Sequence, residues 1–136
     1  MSIELQVGVK IVLQNQEGKY LLLRRSPEKY KGVVGTWDIV GGRIDPGASL
    51  LENLKREIKE ETGLVFSEEP RLIAAQDILR VPGRHVVRLT YIGGIDGEPK
   101  LGDEHIEFQW CTRGTLFHLD DLDIYFRELL DRGVLL

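Results

Sequence analysis

The sequence predicts an α+β fold, in which a mixed and largely antiparallel sheet is covered by helices. Segments rich in β-branched and apolar residues recur along the chain and are separated by turn-forming residues, as strands are. Two other segments carry apolar residues at helical spacing. No repeat, low-complexity tract or linker divides the chain, so residues 1–136 are predicted to form one domain.

The strands are predicted from local composition. Residues 6–14, QVGVKIVLQ, and 19–25, KYLLLRR, are strand-like, and the turn chemistry of NQEG between them predicts a hairpin. The other segments predicted from such signals are an irregular loop at 26–35, a strand at 36–40, a glycine-rich turn at 41–47, and strands at 71–80, 85–95 and 107–112.

The helix predicted after Ser49 has the strongest signals. Ser49 is followed three residues later by Glu52, which predicts a capping box, and Gly63 supplies a left-handed stop. The apolar residues of this helix share one face, which comprises Leu50, Leu51, Leu54 and Ile58. A second amphipathic helix is predicted at 120–133, closed by Gly133.

The overall composition excludes several classes of protein. With 42% hydrophobic residues and a net charge of −4, the chain is typical of a globular protein and has no basic field for a nucleic-acid polymer or an anionic membrane. No apolar run approaches the roughly 20 residues that span a bilayer, and the N-terminus lacks the pattern of a signal peptide. The single cysteine, Cys111, rules out an internal disulfide and predicts a cytoplasmic location.

Glu57, Glu60 and Glu61 lie on one side of the first helix, at the border of its apolar face. Like charges at these spacings cost a few tenths of a kcal/mol per pair, and the C-terminal end of a helix disfavours negative charge. One interpretation is a solvated acidic face. The other is a site for Mg²⁺, which binds carboxylate oxygens, keeps several waters and bridges to substrate phosphates. The second is favoured because Lys55 and Lys59 occupy the far side of the helix.

The stretch that contains these glutamates resembles a known signature. Residues 41–64, GGRIDPGASLLENLKREIKEETGL, resemble the box of the Nudix (MutT-like) hydrolases, G-x5-E-x7-R-E-U-x-E-E-x-G-U, where U is aliphatic. The box spans 42–64, and eight of its nine specified positions match. The mismatch is Ala48, where the signature has glutamate. The resemblance extends along essentially the whole chain, although only the box is diagnostic.

The resemblance implies an α/β/α sandwich and hydrolysis of a nucleoside diphosphate linked to another group X, with Mg²⁺ or alternatively Mn²⁺ as cofactor. The implied metal ligands are Glu57, Glu60, Glu61, Glu104 and the backbone carbonyl of Gly41. Arg56 resembles the residue that orients a helix carboxylate. Glu57 or Glu104 would be the base that takes a proton from the attacking water, and the choice between them stays open. His105, beside Glu104, is the only histidine whose position draws attention.

Candidate substrate contacts come from a strand and the loop after it. Arg24 and Arg25 alternate on the strand, so one of them should face outward, where it could grip a phosphate. An ordinary solvent-facing arginine is the alternative, and Arg24 fits that alternative better. Trp37 could stack on a base or pack in the core. Lys29 and Lys31 could add phosphate contacts, although loop lysines usually only solubilise.

The substitution at Ala48 removes a carboxylate that helps to organise the box in the family. Glu52 stands four residues before Arg56 and could take over the ion pair. We therefore predict a hydrolase of a nucleoside triphosphate, including an oxidised one, with a nucleotide sugar or dinucleoside polyphosphate as alternatives. A nucleotide-binding module without turnover is the rival from another class, and an acidic helix without a ligand is a third. A homodimer is left open.

Overall fold

The computed structural model of the chain describes residues 2–30 and 35–135. Its elements, in chain order, are β1 (Glu4–Gln14), β2 (Tyr20–Arg25), β3 (Trp37–Asp38), β4 (Val40–Arg43), α1 (Leu50–Thr62), β5 (Arg71–Ile78), β6 (Arg84–Gly94), β7 (His105–Cys111), α2 (Arg113–His118) and α3 (Ile124–Asp131). The strands form one sheet in the order β3-β2-β1-β6-β5, with β4 also paired to β1 and β7 to β2. Strands β1 and β6 run parallel and the other described pairs are antiparallel, which confirms the mixed sheet.

The predicted hairpin between the first two strands is wrong beyond its turn. Strands β1 and β2 pair only at Gln14↔Tyr20 and then separate. The segment 37–43 crosses this gap, because β3 pairs with β2 and β4 pairs with β1. The residues 40–43 that were predicted to lie at a strand end and in a glycine-rich turn are therefore a strand.

A glycine at position 41 is required by this close pairing. Gly41 has a φ of 141°, and a Cβ there would lie 2.1 Å from the carbonyl oxygen of Val9. Strand β4 can therefore approach β1 only with a glycine at this position. The glycines that suggested a turn instead allow two backbones to come together at the edge of the gap.

The sheet is covered on both faces, which confirms the α/β/α sandwich. On one face Leu54 and Ile58 of α1 pack against β1 residues such as Val9 and Ile11, all of them fully buried. On the other face Leu116 of α2 and two apolar residues of α3, Phe126 and Leu130, pack against Val12 and Leu22. No helix in the described part of the chain is long and apolar enough to cross a membrane.

Helix α1 begins and ends where its signals predicted. The Ser49 hydroxyl accepts a hydrogen bond from the backbone N–H of Glu52 at 3.0 Å. At the other end Gly63 adopts the left-handed conformation, with φ 71°, and its N–H donates to the carbonyl oxygen of Lys59. The caps place the glutamates of the last turns beside β4.

The C-terminal helices differ from the prediction. Helix α2, capped by Thr112, was not predicted, because six residues are too few to show a helical period. Helix α3 begins at Ile124 instead of residue 120. Asp121 has a φ of 62° and Leu122 bridges to Trp37, so the chain becomes helical only after Asp123, whose carboxylate accepts the N–H of Phe126 at 3.0 Å.

The packing of α1 predicts the effect of truncating its core leucine. We expect Leu54→Ala to lower the free energy of unfolding by about 2–5 kcal/mol, because it leaves a cavity in a fully buried site. Leu50→Ala, on the same helix at a side chain that is 39% exposed, is the matched control and should cost about 0.5–1 kcal/mol. Urea denaturation measures both; equal losses would mean that α1 does not pack as described.

Candidate active site

A cavity of about 560 Å³ lies between the last turns of α1 and the gap between β1 and β2. One wall is acidic and the other is basic and aromatic. The lining residues are Lys10, Arg25, Tyr30, Gly41, Gly42, Arg43, Asp45, Arg56, Glu57, Glu60, Glu61, Glu104 and His105. The structure thus brings together all the predicted metal ligands and predicted catalytic residues.

Two of the three α1 glutamates that were predicted to bind a metal are buried against β4. Glu57 is 8% exposed and Glu61 is 6% exposed. The Glu61 carboxylate accepts the N–H of Gly41 at 2.9 Å. Gly42 leaves room for Glu57, since a Cβ at Gly42 would lie 2.9 Å from the Glu57 carboxylate oxygens. Carboxylates in such positions are not a solvated helix face.

Arg56 spans the helix carboxylates. Its guanidinium donates to Glu57 at 2.9 Å and to Glu60 at 3.3 Å, and it lies 3.3 Å from Asp45. Glu60 differs from its neighbours because its side chain is 58% exposed. Arg56 is therefore placed where an orienting residue would have to be, although its role in a reaction stays a prediction.

The ion pair expected between Glu52 and Arg56 does not form. Glu52 is exposed, and its backbone N–H donates to the hydroxyl of Ser49, which caps the helix. Asn53 takes the position instead, because its side-chain oxygen accepts from Arg56 at 2.9 Å and from the N–H of Asp45 at 2.7 Å. Its amide nitrogen also donates to the carbonyl oxygen of Ala48 at 3.2 Å. The neutral amide of Asn53 thus holds the loop at Ala48, the position at which the family signature has a glutamate.

The acidic wall is short of positive charge. Burial raises the pKa of Glu57, and Arg56 opposes that effect only in part. Burial also raises the pKa of Glu61 to about 7, although Lys10 and the N–H of Gly41 act in the opposite direction. Since these carboxyls bind protons more tightly than usual, they would be stabilised as anions by an added cation.

The basic wall is part of a buried network of ion pairs. Asp38, 1% exposed, pairs with Arg25, with Lys10 at 2.9 Å and with Arg88 at 3.4 Å. Asp123 at the start of α3 pairs with Arg25 at 3.2 Å and Arg88 at 3.0 Å. Burial alone would raise the pKa of Asp38, but the surrounding cations hold it well below its usual range. Lys10 and Arg25 therefore share their charge with carboxylates outside the cavity.

Glu104 enters the cavity from the loop before β7. Its carboxylate accepts a hydrogen bond from the Tyr30 hydroxyl at 3.0 Å. Burial and the nearby Glu104 raise the pKa of Tyr30, so its hydroxyl stays a donor. Glu104 also lines a neighbouring cavity of about 230 Å³ together with Glu60, Glu61 and His105. The distal glutamate predicted from the sequence therefore lines both cavities together with Glu60 and Glu61.

The predicted metal ligands have the right chemistry, although they are not gathered into a finished site. In the described residues no three carboxylate, imidazole or thiol groups stand close enough to hold an ion. Arg56 holds Glu57 and Glu60, and the carbonyl oxygen of Gly41 accepts from Lys10 at 3.3 Å. Hard oxygen donors beside a glycine that leaves space for them fit a small divalent cation. The exposed Glu60 would have to turn toward its neighbours.

Two predicted substrate contacts lie outside the cavity. Arg24 is paired with Glu107 at 2.6 Å, and Trp37 packs against the core on the α3 face. The two are cross-strand partners, so β2 turns both away from the acidic helix. Lys29 pairs with Asp103, and the contact predicted for Lys31 lies outside the described residues.

Sequence reasoning missed several cavity residues. Lys10 carried a signal, because it is a lone charge inside an apolar strand, where a buried partner is to be expected. Asn53 and Asp45 carried none, since their role depends on how the loop folds over the helix. Arg25 was predicted as a candidate for binding a substrate phosphate, and it does line the cavity. Its guanidinium, however, is already bonded to Asp38, Asp123 and the carbonyl oxygen of Gly35.

Comparison with known proteins agrees with this geometry. Residues 4–132 match the NUDIX domain model. The chain is 33% identical over 102 residues to an ADP-ribose pyrophosphatase of Methanocaldococcus jannaschii, covering 74% of this chain and 59% of that protein. It is 31% identical over 130 residues to nucleoside triphosphatase NudI of Escherichia coli O17:K52:H18, covering 88% and 89%. The chain thus spans about three fifths of the first relative and most of the second.

A solved structure extends the match to the fold. The crystal structure of a MutT protein from Methanosarcina mazei Go1 superposes with a TM-score of 0.82 at 28% identity and covers 97% of this chain and 94% of that one. The chain belongs to the Nudix (MutT-like) hydrolase family. Members of this family generally use divalent metals such as Mg²⁺.

Because the pKa of Glu61 is raised, we predict that the free energy of unfolding depends on pH when it is measured with a chelator that removes metal ions. Its pKa is about 7 in the folded chain against an ordinary 4.5. The folded state therefore holds the proton more tightly, and stability is lost as the pH rises from about 4.5 to about 7. Glu61→Gln cannot ionise, so relative to the parent chain it should gain up to about 3 kcal/mol at pH 8 and little at pH 4.5.

The comparison of variants is needed because His105 titrates in the opposite sense. Burial lowers the pKa of His105 to about 4, so this group adds stability as the pH rises toward its ordinary value of 6.5. The difference in unfolding free energy between Glu61→Gln and the parent chain removes that contribution. Glu52→Gln, on the exposed face of the same helix, is the control. A difference that does not change with pH would refute the burial of Glu61.

Proposed function

We propose that the protein hydrolyses a pyrophosphate bond in a nucleoside diphosphate linked to another group, with nucleoside triphosphates, including oxidised ones, as the first substrate class. The observation that carries the proposal is the pair of buried carboxylates, Glu57 and Glu61, facing Lys10 and Arg25 across one cavity. An acidic wall suits a divalent cation, and a basic wall suits the phosphates that the cation would bridge.

A divalent cation, Mg²⁺ or alternatively Mn²⁺, is the cofactor in this proposal. The residues that would hold it are Glu57, Glu60, Glu61, Glu104 and the carbonyl of Gly41. When bound, such an ion neutralises phosphate charge and lowers the pKa of a bound water. Its arrival would also relieve the shortage of positive charge that raises the pKa of Glu61.

The chain's own residues supply the base and the binding of phosphates. Either Glu57 or Glu104 takes a proton from a water that attacks phosphorus, the bond from phosphorus to the bridging oxygen breaks, and the leaving phosphate departs with that oxygen. No covalent intermediate with the enzyme is needed. Lys10 and Arg43 line the cavity and would face the phosphate oxygens. Arg56 would keep the carboxylate of Glu57 turned toward the reacting water.

The rival proposal, a binding module without turnover, was motivated by Ala48. Asn53 weakens that motive, because its side chain bonds to both Arg56 and the loop that contains Ala48. Within the enzyme class, one relative is named for ADP-ribose and the other for nucleoside triphosphates. Nucleotide sugars and dinucleoside polyphosphates therefore stay in the substrate panel as alternatives.

The cellular location of the protein and the kind of partner that it binds are also part of the proposal. Cys111 is free and buried, which suits a reducing compartment such as the cytoplasm. The net charge of −4 disfavours a nucleic-acid polymer as partner, so a free nucleotide is the expected one. A homodimer stays open, and light scattering on the purified chain would decide it.

Activity should depend on the carboxylate of Glu57, which is both a proposed ligand and a candidate base. We expect the protein with Mg²⁺ to release phosphate or pyrophosphate from at least one member of a nucleotide panel, and Glu57→Gln to lower kcat by about 10²–10⁴-fold. Glu104→Gln, assayed alongside it, identifies the base as the residue whose loss lowers kcat more. Glu52→Gln is the matched control on the same helix and should keep full activity, because its carboxylate lies outside the cavity.

Circular dichroism must show that the Glu57→Gln variant is folded. Tight nucleotide binding without turnover in the whole panel would favour the binding module. No change in Tm on adding millimolar Mg²⁺ or Mn²⁺, together with no turnover, would favour an acidic helix without a ligand and would contradict the proposal.

A further inference from the structure

His105 is a buried cavity residue that neither the family signature nor the proposed reaction uses. It opens strand β7, directly after Glu104, and its cross-strand partner is Arg25. The residue is 8% exposed and lines both the main cavity and the neighbouring one. Its Nδ1 atom is sealed from solvent and has no hydrogen-bond partner. A buried ring nitrogen without a partner restricts which nitrogen of the imidazole can carry the proton.

The environment of Nδ1 decides which ring nitrogen carries the proton. A neutral imidazole has one N–H donor and one bare nitrogen acceptor, and it is neutral above about pH 7.5 even at its ordinary pKa. Placing the proton on Nδ1 would bury a donor with nothing to accept it, and orphaned N–H groups are rarer in proteins than orphaned acceptors. The proton therefore belongs on Nε2. Since the Nδ1 edge is sealed, the ring meets the cavities with its Nε2 edge.

We propose that the Nε2–H of His105 is a neutral hydrogen-bond donor to a phosphoryl oxygen of the substrate. This inference deepens the proposed function and rests on it for the identity of the ligand. Phosphoryl oxygens only accept, so they match a donor at the cavity surface. Lys10 and Arg25 share their charge with Asp38, and an uncommitted N–H adds binding without adding a charge to be neutralised.

The same tautomer argues against His105 as a ligand of the metal. A nitrogen that carries a proton has no lone pair to coordinate an ion, so coordination through Nε2 would move the proton to the sealed Nδ1. Among the described residues no group lies within hydrogen-bond reach of Nδ1, so a proton moved there would be buried without an acceptor. If His105 binds phosphate, its proton is on Nε2, whereas if His105 binds a metal through Nε2, its proton is on Nδ1.

Nitrogen NMR of the intact chain reads that proton directly. In protein with ¹⁵N-labelled histidine at pH 8, we expect the Nδ1 of His105 to show the shift of a bare nitrogen and its Nε2 that of a protonated one. Inorganic pyrophosphate with Mg²⁺ should shift Nε2 and its proton, whereas Mg²⁺ alone should leave both nitrogens unchanged. A protonated Nδ1, or a response of Nε2 to Mg²⁺ alone, would overturn the proposal.

Variants then measure what the donor contributes. Gln extends an N–H₂ group to about the position of Nε2, whereas Met has similar length and no donor. His105→Met should weaken pyrophosphate binding by about tenfold to a hundredfold, and His105→Gln should retain most of the affinity. His118→Gln is the control, since His118 is exposed and lies outside both cavities.

Binding and turnover are measured separately, so the two proposals fail in different ways. Loss of affinity for pyrophosphate in His105→Met, in a chain that hydrolyses nothing, would support the donor and contradict the proposed function. Equal affinity in His105→Met and the parent chain would overturn the donor even if hydrolysis is found. If neither variant folds, the nitrogen shifts of the parent chain still decide.

Discussion

The burial of the Asp38 carboxylate among Lys10, Arg25 and Arg88 is the interaction on which the rest of the structure depends. Strands β1 and β2 pair only at Gln14 and Tyr20, beside their turn, so no backbone ladder joins them at the cavity. Asp38 replaces that ladder with ion pairs to a cation on each of β1, β2 and β6. A carboxylate buried this deeply would be costly without partners, and removal of one partner leaves a charge uncompensated. The network therefore specifies how segment 37–43 crosses the gap, and that segment delivers Gly41 and Gly42 to the helix.

The same network sets the electrostatics of the cavity. The positive charge of Lys10 acts to lower the pKa of the buried Glu61 carboxyl, and Lys10 also binds Asp38 at 2.9 Å. Its positive charge is shared, so Glu61 stays under-compensated and its pKa rises to about 7. Lys10 therefore links the ion pairs of the fold to the electrostatics of the acidic wall, where the proposed divalent ion would supply the positive charge that is lacking.

The predictions from sequence succeeded where the signal is local. Helix α1 was predicted from its caps at Ser49 and Gly63 and from its apolar period, and the mixed sheet from strand composition. The separation of β1 from β2 was missed because the residues of a strand do not indicate which distant segment the strand will pair with. Trp37 and Arg24 were kept as candidate substrate contacts, beside the alternatives of core packing and a solvent-facing arginine, because the direction in which their strands face depends on that separation. The buried ions were missed for the same reason, since Asp38, Arg88 and Asp123 are brought together only by the fold.

Asn53 shows how a departure from the family signature can be structurally neutral. A glutamate at position 48 would add a negative charge next to Arg56, which already contacts Glu57, Glu60 and Asp45. The chain instead holds the loop with a neutral amide that bonds to the backbone at Asp45, Ala48 and Ser49. Because the amide is neutral, it bonds to Arg56 without adding a further carboxylate to those of Glu57, Glu60 and Asp45. The guanidinium that bonds to Asn53 also bonds to Glu60, the helix glutamate that would have to turn if the acidic wall held the proposed ion.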